Sequence, residues 1–81
     1  MNMEIRVPKM GMDTTEVMVS GWLVNVGDSV KVGTPLVEVE SEKVTLVLES
    51  ETEGIITSIS KPKGSTVPVG DLLAIVESTG G

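Results

Sequence analysis

Cysteine and histidine are both missing from this sequence. The first absence excludes a disulfide framework and a thiolate metal site; the second removes the commonest metal ligand and the usual general base at neutral pH. An enzyme built on this chain alone would have to work with carboxylates and lysines, and no metal site is expected of it. Aromatic residues are nearly lacking too, since Trp22 is the only one. The core must then be made of Val, Leu, Ile and Met, and a small aliphatic core rich in β-branched residues points to strands. No apolar run approaches the length of a membrane span, and the amino terminus has no basic-then-apolar signal pattern. Positive charge is also scarce: the net charge is −6, with acidic residues spread along the chain, which argues against nucleic-acid binding. What remains is a soluble protein of a reducing or redox-indifferent compartment, expected in the cytoplasm, or in the mitochondrial matrix of a eukaryote although no transit peptide is present.

With 81 residues the chain makes one domain, near the lower limit for a single unaided core. In chain order, Met3 to Val7 alternates apolar with charged residues until Pro8 stops it, the pattern of a short edge strand. Lys9 to Thr15 is a loop, whose Met10 and Met12 are expected to fill gaps in the core. Glu16 to Val26 is β-branched and apolar, broken by Gly21 where a bulge or bend would fit. Gly27-Asp28-Ser29 turns the chain, Val30-Lys31-Val32 is a very short strand, and Gly33-Thr34-Pro35 turns it again. Val37 and Val39 face one way, Glu38 and Glu40 the other. Val44, Leu46 and Leu48 continue that period of two, with Val47 as an apolar exception. Glu51 to Gly54 is a turn, Ile55 to Ile59 a strand and Lys61 to Gly64 a loop. Val67-Pro68-Val69 and Leu72 to Glu77 supply the last strands. No stretch has helical periodicity, so about eight strands are predicted. Residues 1–77 are expected to form the domain and residues 78–81 the start of a flexible linker or tail.

An internal repeat defines the architecture. Gly27 to Ser41 aligns without a gap on Gly64 to Ser78, and eight of the fifteen pairs are identical, against roughly one for average composition. Upstream, Gly21 matches Gly54 if a four-residue difference centred on Lys61-Pro62-Lys63 is allowed. Two halves of about four strands, neither able to bury its apolar face alone, pack face to face. The prediction is an all-β flattened barrel or sandwich of two four-stranded sheets with quasi-twofold symmetry.

Ser41 and Ser78 are equivalent in this repeat, and a twofold axis across the sandwich carries one to the opposite end from the other. The Glu42-Lys43 turn is therefore expected far from the carboxy terminus. Glu-Lys does not favour a tight hairpin, as Asn-Gly or Asp-Gly would. By composition alone Lys43 is as ordinary a solvated lysine as Lys9, Lys31, Lys61 or Lys63; its place at the junction of the repeats is what sets it apart.

Val7-Pro8-Lys9-Met10-Gly11-Met12, Gly27 to Gly33, Val39-Glu40-Ser41-Glu42-Lys43-Val44 and Val67 to Gly70 together resemble the lipoyl domain of the dihydrolipoamide acyltransferase (E2) component of 2-oxo acid or acetoin dehydrogenase complexes. The resemblance runs from about Met3 to Glu77. It implies a barrel-sandwich hybrid in which Lys43 carries lipoic acid in amide linkage. Glu42 stands where that family most usually has Asp, and Val44 where it has Ala. Biotinyl carriers share the fold but typically have Met on both sides of their lysine. A biotinyl carrier and an unmodified β-sandwich adaptor are the alternative readings.

The resemblance further implies a non-catalytic domain. Acylation needs a neutral amine, solvated lysines are mostly charged at neutral pH, and no histidine is present to take the proton. Activation must come from a lipoate-protein ligase or lipoyl transferase. The lipoyl arm would then serve a thiamin-dependent E1, the E2 catalytic domain and a flavin-dependent E3, with the isolated domain a monomer. Glu38, Glu40, Glu42 and Glu49 flank the turn, either steering it to basic partner surfaces or simply solvating strand faces. Glu40, Glu42, Val44, Met12 and Asp13 are the candidate recognition residues, the last two from a loop expected beside the turn.

Overall fold

Eight antiparallel strands form in the computed structural model, which describes residues 2–9, 11 and 13–78. They are β1 (Asn2–Arg6), β2 (Glu16–Trp22), β3 (Ser29–Val30), β4 (Pro35–Glu40), β5 (Thr45–Glu49), β6 (Gly54–Ile59), β7 (Thr66–Pro68) and β8 (Leu72–Ser78). One sheet has the order β1-β8-β6-β3, the other β5-β4-β2-β7. The expected pair of four-stranded sheets is present, with β1 at an edge, and the described residues contain no helix. Met10 and Met12 lie outside the described residues, as do Thr79 to Gly81. β8 runs through Ser78, one residue past the expected end of the domain.

Alternation explains most of the core. Val17 and Val19 are buried between exposed Glu16 and Met18, and Val37 and Val39 are buried while Glu38 and Glu40 are only half covered. In β4 the ladder to β5 slips between Pro35 and Val37, so the adjacent Leu36 and Val37 are both buried. β8 repeats the slip: Leu73 and Ala74 are both buried where the ladder to β1 skips a residue. Trp22 is half-buried, and its indole N–H donates to the Lys61 carbonyl at 2.7 Å. That satisfies the one polar atom of a mostly apolar ring.

The quasi-twofold symmetry is written in the hydrogen bonds. Gly27 donates its N–H to Ile56 O at 2.8 Å, and Gly64 donates to Val19 O at 2.7 Å. Gly33 donates to Ser50 O and Gly70 to Val7 O, at 2.8 and 2.9 Å. All four glycines have φ between 88° and 96°, a region costly for residues with a Cβ, so the repeat conserves the residue type its turns demand. Ser20 and Thr57 are the extra residues of matching bulges, each placing its hydroxyl 3.3 Å from a carbonyl of the neighbouring strand, Glu38 O and Ile75 O.

These pairings correct the sequence alignment upstream of the repeat. Gly21 lies opposite Glu38 and Ser58 opposite Ile75, so Gly21 is equivalent to Ser58, not Gly54. Gly54 is the counterpart of Val17, each facing a buried valine, Val30 and Val67 respectively. No gap is needed, and the offset of 37 that relates Gly27 to Gly64 holds from β2 onwards. Gly21 and Gly54 share only their residue type, because Gly54 is glycine for a local reason. A Cβ there would collide with the Glu77 carbonyl.

Three strand expectations also change. β2 ends at Trp22 rather than Val26, because Asn25 and Asp28 close a turn, with Asn25 N–H donating to Asp28 Oδ2 at 2.8 Å. β3 is Ser29–Val30, and Val32 sits on the Gly33 turn, 73% exposed. Val44 and Leu46, which continue the period of two set by Val37 and Val39, are exposed where those are buried, because β5 is an edge strand.

Candidate functional site

Glu42 and Lys43 form the exposed apex of the β4–β5 hairpin, whose ladder ends at the pair Glu40 and Thr45. No described non-glycine residue has positive φ, so the primed turns that normally suit a two-residue hairpin are not used. Ser41 takes over. Its N–H donates to Val44 O at 2.8 Å, Val44 N–H donates to Ser41 Oγ at 3.3 Å, and the same hydroxyl lies 3.3 Å from Val44 O. A side-chain oxygen closes the turn where a hairpin would ordinarily use a second backbone bond. The turn is thereby fixed without glycine, leaving its apex residues free to be chosen for chemistry.

The apex lies where the symmetry argument expects it. Thr52, just beyond the far end of β5, donates its hydroxyl to Ser78 Oγ at 3.3 Å, so the end of β8 meets the end of β5 remote from Lys43. Lys43 and the end of β8 thus lie at opposite ends of β5. Among the described residues no hydrogen bond or ion pair holds the Lys43 amine, and the ion pairs formed are Arg6 with Glu4 and Lys61 with Asp71.

A groove of about 620 Å³ runs beside the turn. It is lined by Glu40 to Val44 on the hairpin, by Gly11 and Asp13 to Met18, and by Thr66. Of the candidate recognition residues, the structure brings Glu40, Glu42, Val44 and Asp13 together here, and Met12 lies outside the described residues. The loop belongs beside the hairpin for a reason the repeat makes visible. β1 and β5 are equivalent, Ile5 facing Ala74 as Leu48 faces Val37, but their offset is 43 instead of 37. Between equivalent positions the path from β1 to β2 is thus six residues longer than that from β5 to β6, and residues of this longer loop line the groove beside Lys43.

Sequence reasoning missed three members of the site. Ser41 was noticed as an equivalent of Ser78, but its hydroxyl was not read as a turn clamp. Met18 and Thr66 were not singled out, although strict alternation with buried Val17, Val19 and Val67 puts both on the outer face.

The family model Biotin_lipoyl, described as "Biotin-requiring enzyme", matches residues 3–76. A dihydrolipoyllysine-residue acetyltransferase component of the pyruvate dehydrogenase complex of Mycobacterium tuberculosis is 44% identical over 70 residues, covering 86% of this chain and 13% of the relative. A dihydrolipoyllysine-residue succinyltransferase component of the 2-oxoglutarate dehydrogenase complex of Bartonella vinsonii is 41% identical over 78 residues, covering 96% of this chain and 19% of the relative. The chain thus spans less than a fifth of these curated relatives. The solution structure of the lipoyl domain of the 2-oxoglutarate dehydrogenase complex from Azotobacter vinelandii superposes with a TM-score of 0.81 at 30% identity, over 95% of this chain and 98% of that one. Sequence and fold agree: the chain belongs to the biotin/lipoyl carrier family and is a lipoyl domain of the type found in the acyltransferase components of 2-oxo acid dehydrogenase complexes.

Proposed function

We propose that Lys43 is the lysine that carries lipoic acid, and that the domain moves acyl groups and electrons among a thiamin-dependent E1, an acyltransferase domain and a flavin-dependent E3 of a 2-oxo acid or acetoin dehydrogenase complex. The observation that carries this reading is the position of Lys43, the one lysine at the apex of a β-hairpin, exposed and with its turn clamped by Ser41. The surroundings suit the group: the amine is accessible, and the adjoining groove leaves room for an enzyme to approach it. Once attached, the lipoyl group would supply a disulfide that accepts and passes on acyl groups and electrons.

Every residue of this chain acts by presentation. Attachment joins Nζ to the lipoyl carbonyl carbon, breaks that carbon's bond to its activating group, and releases two protons from the ammonium. With no histidine in the chain and, among the described residues, no base hydrogen-bonded to Lys43, those protons go to the attaching enzyme, a lipoate-protein ligase or lipoyl transferase. Asp13, Glu40, Glu42 and Val44, with Met12 from the same loop, are the surface such enzymes meet. Glu42 and Val44 beside the lysine, where biotinyl carriers have Met, favour lipoate over biotin. Intact mass after incubation with a lipoate ligase, and separately with a biotin ligase, tests the reading. One lipoyl group gained and no biotin is the expected result; biotin alone would assign the domain to the other branch, and neither would leave an unmodified adaptor.

A further inference from the structure

The two halves of this domain are interlocked. With β1–β4 as one half and β5–β8 as the other, only β2 with β4 and β6 with β8 pair inside a half. The other four ladders join the halves: β1 with β8, β2 with β7, β3 with β6 and β4 with β5. Neither half completes a sheet alone, and a single covalent link, the turn from Ser41 to Val44, ties them together. That turn is held by the Ser41 N–H on Val44 O and by the Ser41 hydroxyl, and none of its residues has the positive φ of the favoured hairpin turns.

The β4–β5 ladder pairs Glu38 with Val47, Val39 with Leu46 and Glu40 with Thr45. Within one chain it has to stop there, because the next residues make the turn. Between two chains it continues. If the turn straightens and β4 pairs with β5 of a second copy, the same register sets Ser41 opposite the partner's Val44 and Glu42 opposite the partner's Lys43, and the twofold repeats both pairs. Opposite charges directly across antiparallel strands attract, so the Glu-Lys sequence that suits a tight turn poorly suits this unbroken ladder well.

We propose that the turn from Ser41 to Val44 is a hinge through which two copies of the chain exchange halves, giving a closed twofold dimer. Each lobe is then a complete sandwich made of β1–β4 from one copy and β5–β8 from the other. All six ladders are kept, and only the hydrogen bonds of the turn itself are lost. The exchange needs no new contact face, so the net charge of −6 on each copy acts only as repulsion between lobes, which salt screens. Assembly also withdraws the apex, because Lys43 then lies in mid-strand opposite a carboxylate instead of at the tip of a turn. Four ladders must break for halves to exchange, so the forms interconvert slowly under native conditions. The concentration at which the chain folds sets their ratio.

Because the chain has no cysteine, introduced thiols read the exchange directly. Glu38→Cys with Val47→Cys places one thiol on each side of a β4–β5 rung, at a spacing that a disulfide spans. The test is to unfold this double variant in urea, refold it at micromolar and at millimolar concentration, oxidise it, and compare sedimentation with a denaturing gel run without reductant. Expected are monomers closed within one chain at the low concentration, and at the high one dimers whose two chains are joined covalently. Two further changes in the same background shift the balance in opposite directions. Glu42→Asn with Lys43→Gly, a sequence made for a tight turn, should lower the dimer yield about tenfold. Deletion of Glu42 and Lys43 leaves only Ser41 and Val44 to turn the chain, neither suited to positive φ, and should give dimer at both concentrations. A chain that stays monomeric after refolding at millimolar concentration overturns the hinge. So does a dimer whose disulfides all close within single chains, since its copies then associate through their outer faces.

Discussion

The hydroxyl of Ser41 lies 3.3 Å from both the N–H and the carbonyl oxygen of Val44, closing the turn that holds Lys43. Because this contact substitutes for a backbone bond at an exposed site, its loss should loosen the apex without unfolding the sandwich. Ser41→Ala is expected to speed amide exchange at Val44 and to cost at most about 1 kcal/mol of global stability. Lipoylation should slow severalfold, and Ser41→Thr should restore it. Unchanged exchange at Val44 in Ser41→Ala would show that the hydroxyl does not hold the turn.

Gly54 is placed by close approach. A methyl group at this position meets the Glu77 carbonyl and a Val76 methyl group, both in the neighbouring strand β8. Gly54→Ala should therefore cost about 2 kcal/mol or more, as overpacking against backbone does, a large share of what a domain this small has. Urea titration followed by circular dichroism measures it, and a loss below about 0.5 kcal/mol would mean that the strands separate more easily than their ladder implies.

Gly27 and Gly64 offer a test of the symmetry itself. Each sits at positive φ with open space where a Cβ would go, so alanine is penalised by backbone conformation alone. Gly27→Ala and Gly64→Ala should each cost about 1 kcal/mol, and the two costs should agree within about 0.5 kcal/mol. Thermal melts of the two variants would contradict the equivalence if one were neutral and the other severely destabilised.

How far the sequence carried depended on which physical signal was present. Buried alternation at Val17, Val19, Val37 and Val39 made the strands legible, and glycines at turns made the repeat legible. The edge character of β5 was not: Val44 and Leu46 continue the period of buried Val37 and Val39, and only the strand order, a long-range property, places β5 at an edge. Gly54 misled because sequence cannot separate a glycine needed for positive φ from one needed for close packing. At the site, Lys43 was legible from its place in the repeat and from the resemblance. The clamp was not, since a serine before a charged turn has many uses and only the distance to Val44 picks one.

The central claim is that one lysine of this domain, Lys43, receives the lipoyl group. Lipoylated protein digested and mapped by tandem mass spectrometry, beside a Lys43→Arg variant treated identically, tests it most directly. The account predicts a single lipoyl group on Lys43 in the parent chain and none on the variant, with Lys9, Lys31, Lys61 and Lys63 unmodified in both. A variant that gains the group at another lysine, or a parent chain modified elsewhere than Lys43, would contradict it.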